Sequence, residues 1–428
     1  MNSTTYENYK ASEIDWLEKI PSHWSTKKIK FCCTFNQTSL REDSDPELKI
    51  DYVDIGSVSQ GRIGHIESHI FKEAPSRARR IAKKGDTILS TVRTYLKAIS
   101  YVEEDYADCI FSTGFAVLSP KYCFEGKFFS YLLQSESFIN EVVRFSKGVS
   151  FPAITSWELG SLFSLIPPIE EQRRIVDFLD RKTAEIDQAI AQKQRLIELL
   201  KEQKAILIDR AVTQGLNSSM LMQDSEVRWI GEIPKHWEVR RSKRLFSQRK
   251  EFAQSDDIQL SATQAYGVIP QEEYENRIGR KVTKIFQHLE KRRHVEVGDF
   301  VISMRSFQGG LERAWAKGCI RSSYVVLKPS KLVDVDFFSY VFKSSVYIIA
   351  LQSTANFIRD GQDLNFDNFC AVDLALPPIE EQRAIAQTLN IAVANNSKVA
   401  ECTKKEIDLL QEFRQVVIAN AITGKIKV

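Results

Sequence analysis

Pro167-Pro168-Ile169-Glu170-Glu171-Gln172-Arg173 occurs a second time, letter for letter, as Pro377-Pro378-Ile379-Glu380-Glu381-Gln382-Arg383, 210 residues later. Upstream of each copy stands another repeated segment. Trp16-Leu17-Glu18-Lys19-Ile20-Pro21-Ser22-His23-Trp24 returns as Trp229-Ile230-Gly231-Glu232-Ile233-Pro234-Lys235-His236-Trp237, shifted by 213. Fainter echoes keep the same order: Arg79-Arg80 with Gly85-Asp86 against Arg292-Arg293 with Gly298-Asp299, and Phe128-Phe129-Ser130-Tyr131 against Phe337-Phe338-Ser339-Tyr340. The chain is therefore one structural plan written twice, with most positions free to differ.

The segment after each Pro-Pro pair reads as a long helix. From Ile169 to about Gln214, and from Ile379 to about Thr423, there is no proline or glycine, and helix-compatible residues dominate. The prolines suit the first helical positions, and the two glutamates sit where the helix dipole favours negative charge. Apolar residues recur at steps of 3, 4 and 7, as a coiled-coil seam requires: Ile175, Leu179, Ile186, Ile190, Ile197, Leu200 and Leu207, then Ile385, Leu389, Val399, Ile407, Leu410, Phe413 and Val417. The polar pair Asn395-Asn396 falls in the middle of the second stripe. Each helix would run on the order of 65 to 70 Å. Each stops at a repeated threonine and glycine, Thr213 with Gly215 and Thr423 with Gly424.

The regions ahead of the helices read as mixed α/β domains with twisted sheets. Gly-Asp turns open apolar stretches at Asp86–Val92 and Asp299–Met304, matched by Gly114–Leu118 and Ser323–Leu327, and short helices are predicted around Phe128–Gln134 and Phe337–Lys343. The expected layout is a domain at 1–166, a helix at 167–216, a domain at 217–376 and a helix at 377–428. Residues 217–226 lack periodicity and form the best linker candidate. The fold class is α+β.

Composition excludes several classes of function. With 43% hydrophobic and 27% charged residues the chain is an ordinary globular one, and no run approaches the roughly 18 apolar residues of a membrane span. The polar start lacks a signal-peptide pattern, which implies a cytoplasmic protein. Seven scattered cysteines with no C-x-x-C spacing read as reduced and mostly packed, and the six histidines, which lack an H-E-x-x-H pattern, are assigned no metal. A net charge of +3 is nearly neutral, so any affinity for nucleic acid rests on local clusters. There is no phosphate-binding loop, no G-x-G-x-x-G and no Asn/Asp-Pro-Pro-Tyr/Phe segment of the kind used to hold a flipped base.

The alternation of variable domain and long helix, with W-x-x-x-I-P-x-H-W openings, P-P-I-E-E-Q-R helix starts and an Ala-Ile-Thr423-Gly424-Lys425-Ile426 terminus, resembles the specificity subunits of type I restriction-modification enzymes over essentially the whole chain. The resemblance implies a DNA-binding subunit without catalytic residues. Each domain would read one half of a split, asymmetric site, and the helices would pair antiparallel in a pseudo-twofold arrangement, hold the domains apart and dock two methyltransferase subunits. Restriction and motor subunits would join that core. No cofactor is expected on this chain; the methyl donor, ATP and magnesium would belong to the partners. Two other classes are a self-contained DNA-modifying enzyme, which would turn over alone, and a coiled-coil protein scaffold, which would leave the basic clusters unexplained.

Those clusters are the candidates for phosphate contact: Arg77, Arg79, Arg80, Lys83 and Lys84; Arg240, Arg241 and Lys243; Arg280, Lys281, Arg292 and Arg293. Base reading needs donors on loops that reach a groove. Ser90, Thr91, Arg93, Tyr95 and Lys97 follow the first Gly-Asp strand, and Ser303, Arg305, Ser306 and Gln308 follow the second. Gly148–Phe151 and Gly361–Leu364 rank behind them. Trp16, Trp24, Trp229 and Trp237 recur in both halves and are better packing anchors than stacking platforms.

Overall fold

Each proline pair leads directly into a helix, Ile169–Gln214 and Ile379–Ile422 in a computed structural model that describes residues 5–282, 291–354 and 364–428. The chain divides into two units, Met1–Lys193 with Lys405–Val428, and Gln194–Lys404, so both long helices contribute to both units. No helix among the described residues is long and apolar enough to cross a membrane.

In the first unit a hairpin of Tyr9–Ile14 and Leu17–Pro21 leads to Ser25–Lys28, which pairs with Phe163–Ile166 just ahead of the long helix. A four-stranded antiparallel sheet runs in the order Ile99–Tyr101, Thr87–Ser90, Phe115–Pro120 and Cys33–Phe35. A five-stranded sheet contains one parallel pair, in which Ile110 faces Tyr52. The second unit repeats the plan. Glu238–Arg241 pairs with Asp373–Leu376, and a sheet runs in the order Phe246–Arg249, Val325–Pro329, Phe300–Ile302 and Glu312–Arg313. The helices predicted near 128 and 337 are Gly126–Gln134 and Val335–Val341. The linker candidate is not a bare linker: Met222–Asp224 pairs with Glu232–Pro234, taking the place of the first unit's hairpin.

The two repeated motifs are each other's partners. Gln172, fully buried, donates from Nε2 to the carbonyls of Cys123 and Pro167, both at 2.9 Å, and its Oε1 accepts from the Glu125 backbone N–H. Gln382 repeats this with Leu332, Pro377 and the Asp334 N–H. Glu171 accepts from His23 Nε2 at 2.8 Å, Trp24 Nε1 at 3.1 Å and the Tyr6 hydroxyl. Glu381 meets His236 at 2.6 Å, while the Trp237 Nε1 is buried without a partner among the described residues. Trp24 and Trp237 are packing anchors, buried in the principal core of their unit, with Trp16 and Trp229 partly buried against the same cores.

Each helix end docks on the other motif. Gly424, at φ +69, sits where a Cβ would come within 2.6 Å of Pro21, and Gly215, at φ +75, faces Trp237 in the same way. Both positions require the left-handed backbone that glycine adopts without penalty. The first core thus joins Ile175 and Leu179 with Val417, Ile418, Ala421 and Ile422, and the second joins Ile208, Ala211 and Val212 with Ile385 and Leu389. Within each unit the helix segments are antiparallel. Asp187 pairs with Arg414 at 3.1 Å and Lys193 with Glu406 at 2.5 Å in the first, and Asn396 Nδ2 donates to the Leu200 carbonyl at 3.0 Å in the second.

Ile186 and Ile407 are buried on the seam, and Ile190, Ile197, Leu200 and Leu410 are half-buried. Leu207, Val399 and Phe413 lie off it, exposed to solvent, and their places are taken by Ile208 and by Thr403, whose hydroxyl bonds back to the Val399 carbonyl. Among the cysteines, Cys32, Cys33, Cys109 and Cys319 are buried, Cys123 and Cys370 partly so, and Cys402 is exposed.

A buried charge network ties the strand Arg293–Val295 of the second unit to its surroundings. His294, 1% exposed, bonds to Asp257 at 2.7 Å and to Glu296 at 2.9 Å, and Glu296 also faces Lys317. Burial pulls the imidazole's pKa down, but the two carboxylates outweigh it and raise the pKa above its ordinary value.

Two outcomes are expected. Gln172→Ala strands three backbone groups, that of Pro167 in a buried bond and the other two in part-buried ones, and should cost the first unit about 1–3 kcal/mol, with Gln382→Ala doing the same to the second; denaturant unfolding unchanged in both would contradict this. For His294 a folded pKa above the unfolded value of about 6.5 means its stabilisation is complete below that value and is lost as pH rises through the folded one. The melting temperature gap between wild type and His294→Gln should therefore be widest in mild acid and narrow toward alkaline pH. A gap independent of pH would show that the ring is not held charged.

Candidate nucleic-acid interface

In the first unit the strand Thr87–Ser90 runs into a loop whose shape is set from within. Ser90 Oγ donates to the Val92 carbonyl at 2.7 Å and Thr91 Oγ1 to that of Gly114 at 2.9 Å. Ser90 is buried, so it belongs to the loop's frame and not to its exposed surface. Arg93, at φ +51, is exposed; its N–H donates to the Pro152 carbonyl and its guanidinium lies 4.6 Å from the Phe151 ring centroid. That stacking leaves the guanidinium edge available for a base or phosphate. Bridges from Val92 and Lys147 to Ala153 bring together Thr91–Lys97 and Gly148–Phe151, two candidate segments remote in sequence. Their shared rim exposes Tyr95, Leu96, Val149 and Phe151. Lys97 is committed to Glu136 at 2.6 Å.

The second unit builds a different surface at the matching place. Ser306 is fully buried and its Oγ accepts from the Ser303 N–H at 2.9 Å, so both serines are framework. Arg305, Met304 and Gln308 are exposed. A hairpin of Leu260–Thr263 and Gly267–Pro270 lies alongside, tied by Gln264 Nε2 to the Arg305 carbonyl at 3.2 Å. Between them opens a cleft of about 860 Å³ lined by Gln264, Tyr266, Arg292, Arg305, Arg321 and Tyr324 among others, with no aspartate or glutamate in its described lining. Gln264, Tyr266, Arg321 and Tyr324 carry no sequence signal, because the fold brings them together from separate strands and turns. Residues 361–363 of the other candidate loop lie outside the described residues, and Leu364 is buried.

The basic clusters divide. Arg77, Lys83, Arg241, Lys243, Arg280 and Lys281 are exposed, and Lys84 is exposed although paired with Glu104. Arg79 stacks on Phe71 at 4.7 Å, and Arg80 bonds to Ser39 Oγ with its Nε buried, burial lowering its pKa. Arg292 is 7% exposed, so it is no surface phosphate contact; its Nη2 reaches the Cys319 carbonyl at 3.5 Å, while Nε has no partner among the described residues. Arg293 stacks on Phe252 and donates to the Lys250 carbonyl. Arg240 is held by Glu238 on the strand that pairs with Asp373–Leu376. The first unit's equivalent strand and turn carry Lys27, Lys28 and Lys30, a basic echo that residue-by-residue matching overlooks.

Residues 21–199 match the profile of the type I restriction modification DNA specificity domain. The chain is similar to a Methanocaldococcus jannaschii protein described as the type I restriction enzyme MjaX specificity subunit, 24% identical over 438 residues that cover 99% of this chain and 97% of that protein. The Escherichia coli EcoKI specificity subunit is 32% identical over 104 residues, 24% of this chain and 22% of that protein. Among solved structures, a chain of a type I R-M system covers 95% of this chain and 99% of its own length at a TM-score of 0.70 and 20% identity. The HsdS subunit from Thermoanaerobacter tengcongensis covers 95% and 98% at 0.53, again at 20% identity. The duplicated domain-and-helix plan, the profile matched at residues 21–199 and a relative aligned from end to end agree: throughout its length the chain is similar to the specificity subunits of type I restriction enzymes.

Proposed function

We propose that this chain is the non-catalytic DNA-recognition subunit of a type I restriction-modification complex and reads a bipartite, asymmetric site, one half-site per unit. The observation that carries this reading is the contrast at matched positions. After equivalent strands, one unit presents Arg93 stacked on Phe151, and the other presents Arg305 beside a cleft whose described lining holds no acid. Equal frames with unequal reading loops fit unequal half-sites, as paired DNA-binding modules fit paired half-sites.

The long helices hold the two readers at a set separation and dock two methyltransferase subunits, through which restriction subunits join. Exposed apolar residues at helical spacing support the docking role: Leu196, Leu199 and Ile206 on the first helix, and Leu409, Phe413 and Val416 on the second. The methyl donor, ATP and magnesium reside on those partners, and the complex works in the cytoplasm. Arg77, Lys83, Arg280 and Lys281 supply sequence-independent phosphate contacts.

Arginine bidentate to guanine discriminates by about 1–3 kcal/mol. Arg93→Ala is expected to relax one half-site roughly 5- to 150-fold, and Arg305→Ala the other. Binding to duplexes randomised in one half-site at a time separates the two effects. Relaxation of both half-sites by one substitution, or of neither by both, would refute the division of labour.

A further inference from the structure

The helix Ser345–Ser353 of the second unit is apolar on every side, yet only one side of it is covered. Tyr347, Ala350 and Leu351 are buried, whereas Ile349 on the other side is 64% exposed. A helix without a polar face belongs where it is covered all round. The matching helix of the first unit, Glu136–Phe145, also starts from a serine N-cap, but carries Ser137, Asn140, Glu141 and Arg144 where the second has Val346, Ile349, Ala350 and Ser353. It has a polar face and needs no cover. The space beside the two helices differs accordingly. In the first unit Arg144 meets Asp15 at 3.3 Å and Glu141 at 2.9 Å, and the recess that these three line holds only about 130 Å³. In the second unit the matching recess is a groove of about 630 Å³, lined by the helix and by residues 227–229 and 371–373. Arg228 stands there in place of Asp15, exposed and without an ion pair among the described residues. The one acid in the described lining, Asp373, is part-buried, and its carbonyl accepts from the Trp229 indole N–H at 3.1 Å.

Resting on the docking role proposed above, we infer that this groove seats an amphipathic helix of the methyltransferase subunit held on the second unit's part of the long helices, with a carboxylate of that helix against Arg228. Three observations choose this occupant. The Ser345 N–H donates to Asp209 of the first long helix at 2.9 Å, one turn from Ile206, which is 67% exposed and stands among the residues assigned to docking. The exposed apolar surface of the long helix thus leads onto the Ser345–Ser353 face. Val346, Ile349 and Ala350 stand at helical spacing beside the groove, the surface on which an apolar helix face packs. The exposed charge at the groove is positive, and its counterpart in the first unit is Asp15, so an acidic segment is attracted at one unit and repelled at the other. Two copies of one methyltransferase carry the same segment. The closed, polar recess of the first unit refuses it, and the two copies are held with unequal strength.

The test titrates the full chain with its methyltransferase partner and resolves, by native mass spectrometry, complexes that hold one and two methyltransferase subunits. Wild type should bind the first copy about tenfold more tightly than the second, after correction for the statistical ratio of two equal sites. Ile349→Asp, at an exposed position, should weaken the tight step about tenfold and leave the loose step unchanged. Arg228→Glu should weaken the same step by a smaller factor. Asn140→Asp, the matched change in the first unit, should move neither step. Equal steps in wild type, or unequal steps that Ile349→Asp and Arg228→Glu leave unchanged, would overturn the groove while the docking reading stands. A free chain that sediments as a dimer, with the dimer lost in Ile349→Asp and both methyltransferase steps intact, would overturn it in favour of a second copy of the chain. Failure of the wild-type chain to bind any methyltransferase would overturn both readings.

Discussion

The side-chain amide of Gln172, repeated in Gln382, is the constraint on which the rest of the structure depends. Each amide is fully buried at the first turn of a long helix and bonds three backbone groups of the domain that precedes it. Because an amide offers both donors and an acceptor, it satisfies a pair of carbonyls and an N–H at once, which a carboxylate in the same place would not. The preceding glutamate then binds the histidine of the W-x-x-x-I-P-x-H-W segment, and the glycine at the far end of the other helix packs on that segment's proline or tryptophan. Helix start, domain and opposite helix end are thus fastened at one point in each unit. The two fastenings differ in one respect: Tyr6 and Trp24 complete the first carboxylate, whereas Trp237 leaves its N–H unsatisfied in the second.

That the chain is duplicated, and that long helices succeed the proline pairs, was legible because both depend on local signals: identity, helix propensity and stop residues. The seam was legible only in part. Counting a seven-residue step from Leu200 lands on Leu207, but 18 residues on from Ile190 make five whole turns at 3.6 residues per turn, and that position is the buried Ile208. On the second helix the inward positions include Asn396 and Thr403, polar residues that satisfy themselves against Leu200 and Val399. Choosing apolar residues alone therefore selects Val399, which faces solvent.

The loops after the two Gly-Asp strands lie where the strand pattern placed them, but composition could not separate residues that face outward from residues that shape the loop. Ser90, Thr91, Ser303 and Ser306 have the chemistry of groove contacts, yet their groups are consumed in turns. The repeated arginine pair is divided by the fold: it marks a shared strand edge, with Arg79 and Arg293 stacked on phenylalanines and Arg292 inside. The cleft was invisible because its walls come from a hairpin at 260–270, the loop at 303–305 and the turn at 321–324, which have no common periodicity.

On the proposed reading the helices are a spacer between two independent readers, with 46 and 44 residues of uninterrupted helix and no glycine or proline to act as a hinge. The most direct measurement inserts four helix-forming residues, about one turn or 6 Å, into the first long helix. Adenine methylation by the assembled complex is then mapped on duplexes that carry the two half-sites at graded separations. A spacer role predicts that the preferred separation lengthens while both half-site sequences stay the same. Full methylation at the original separation, or a changed half-site, would contradict it.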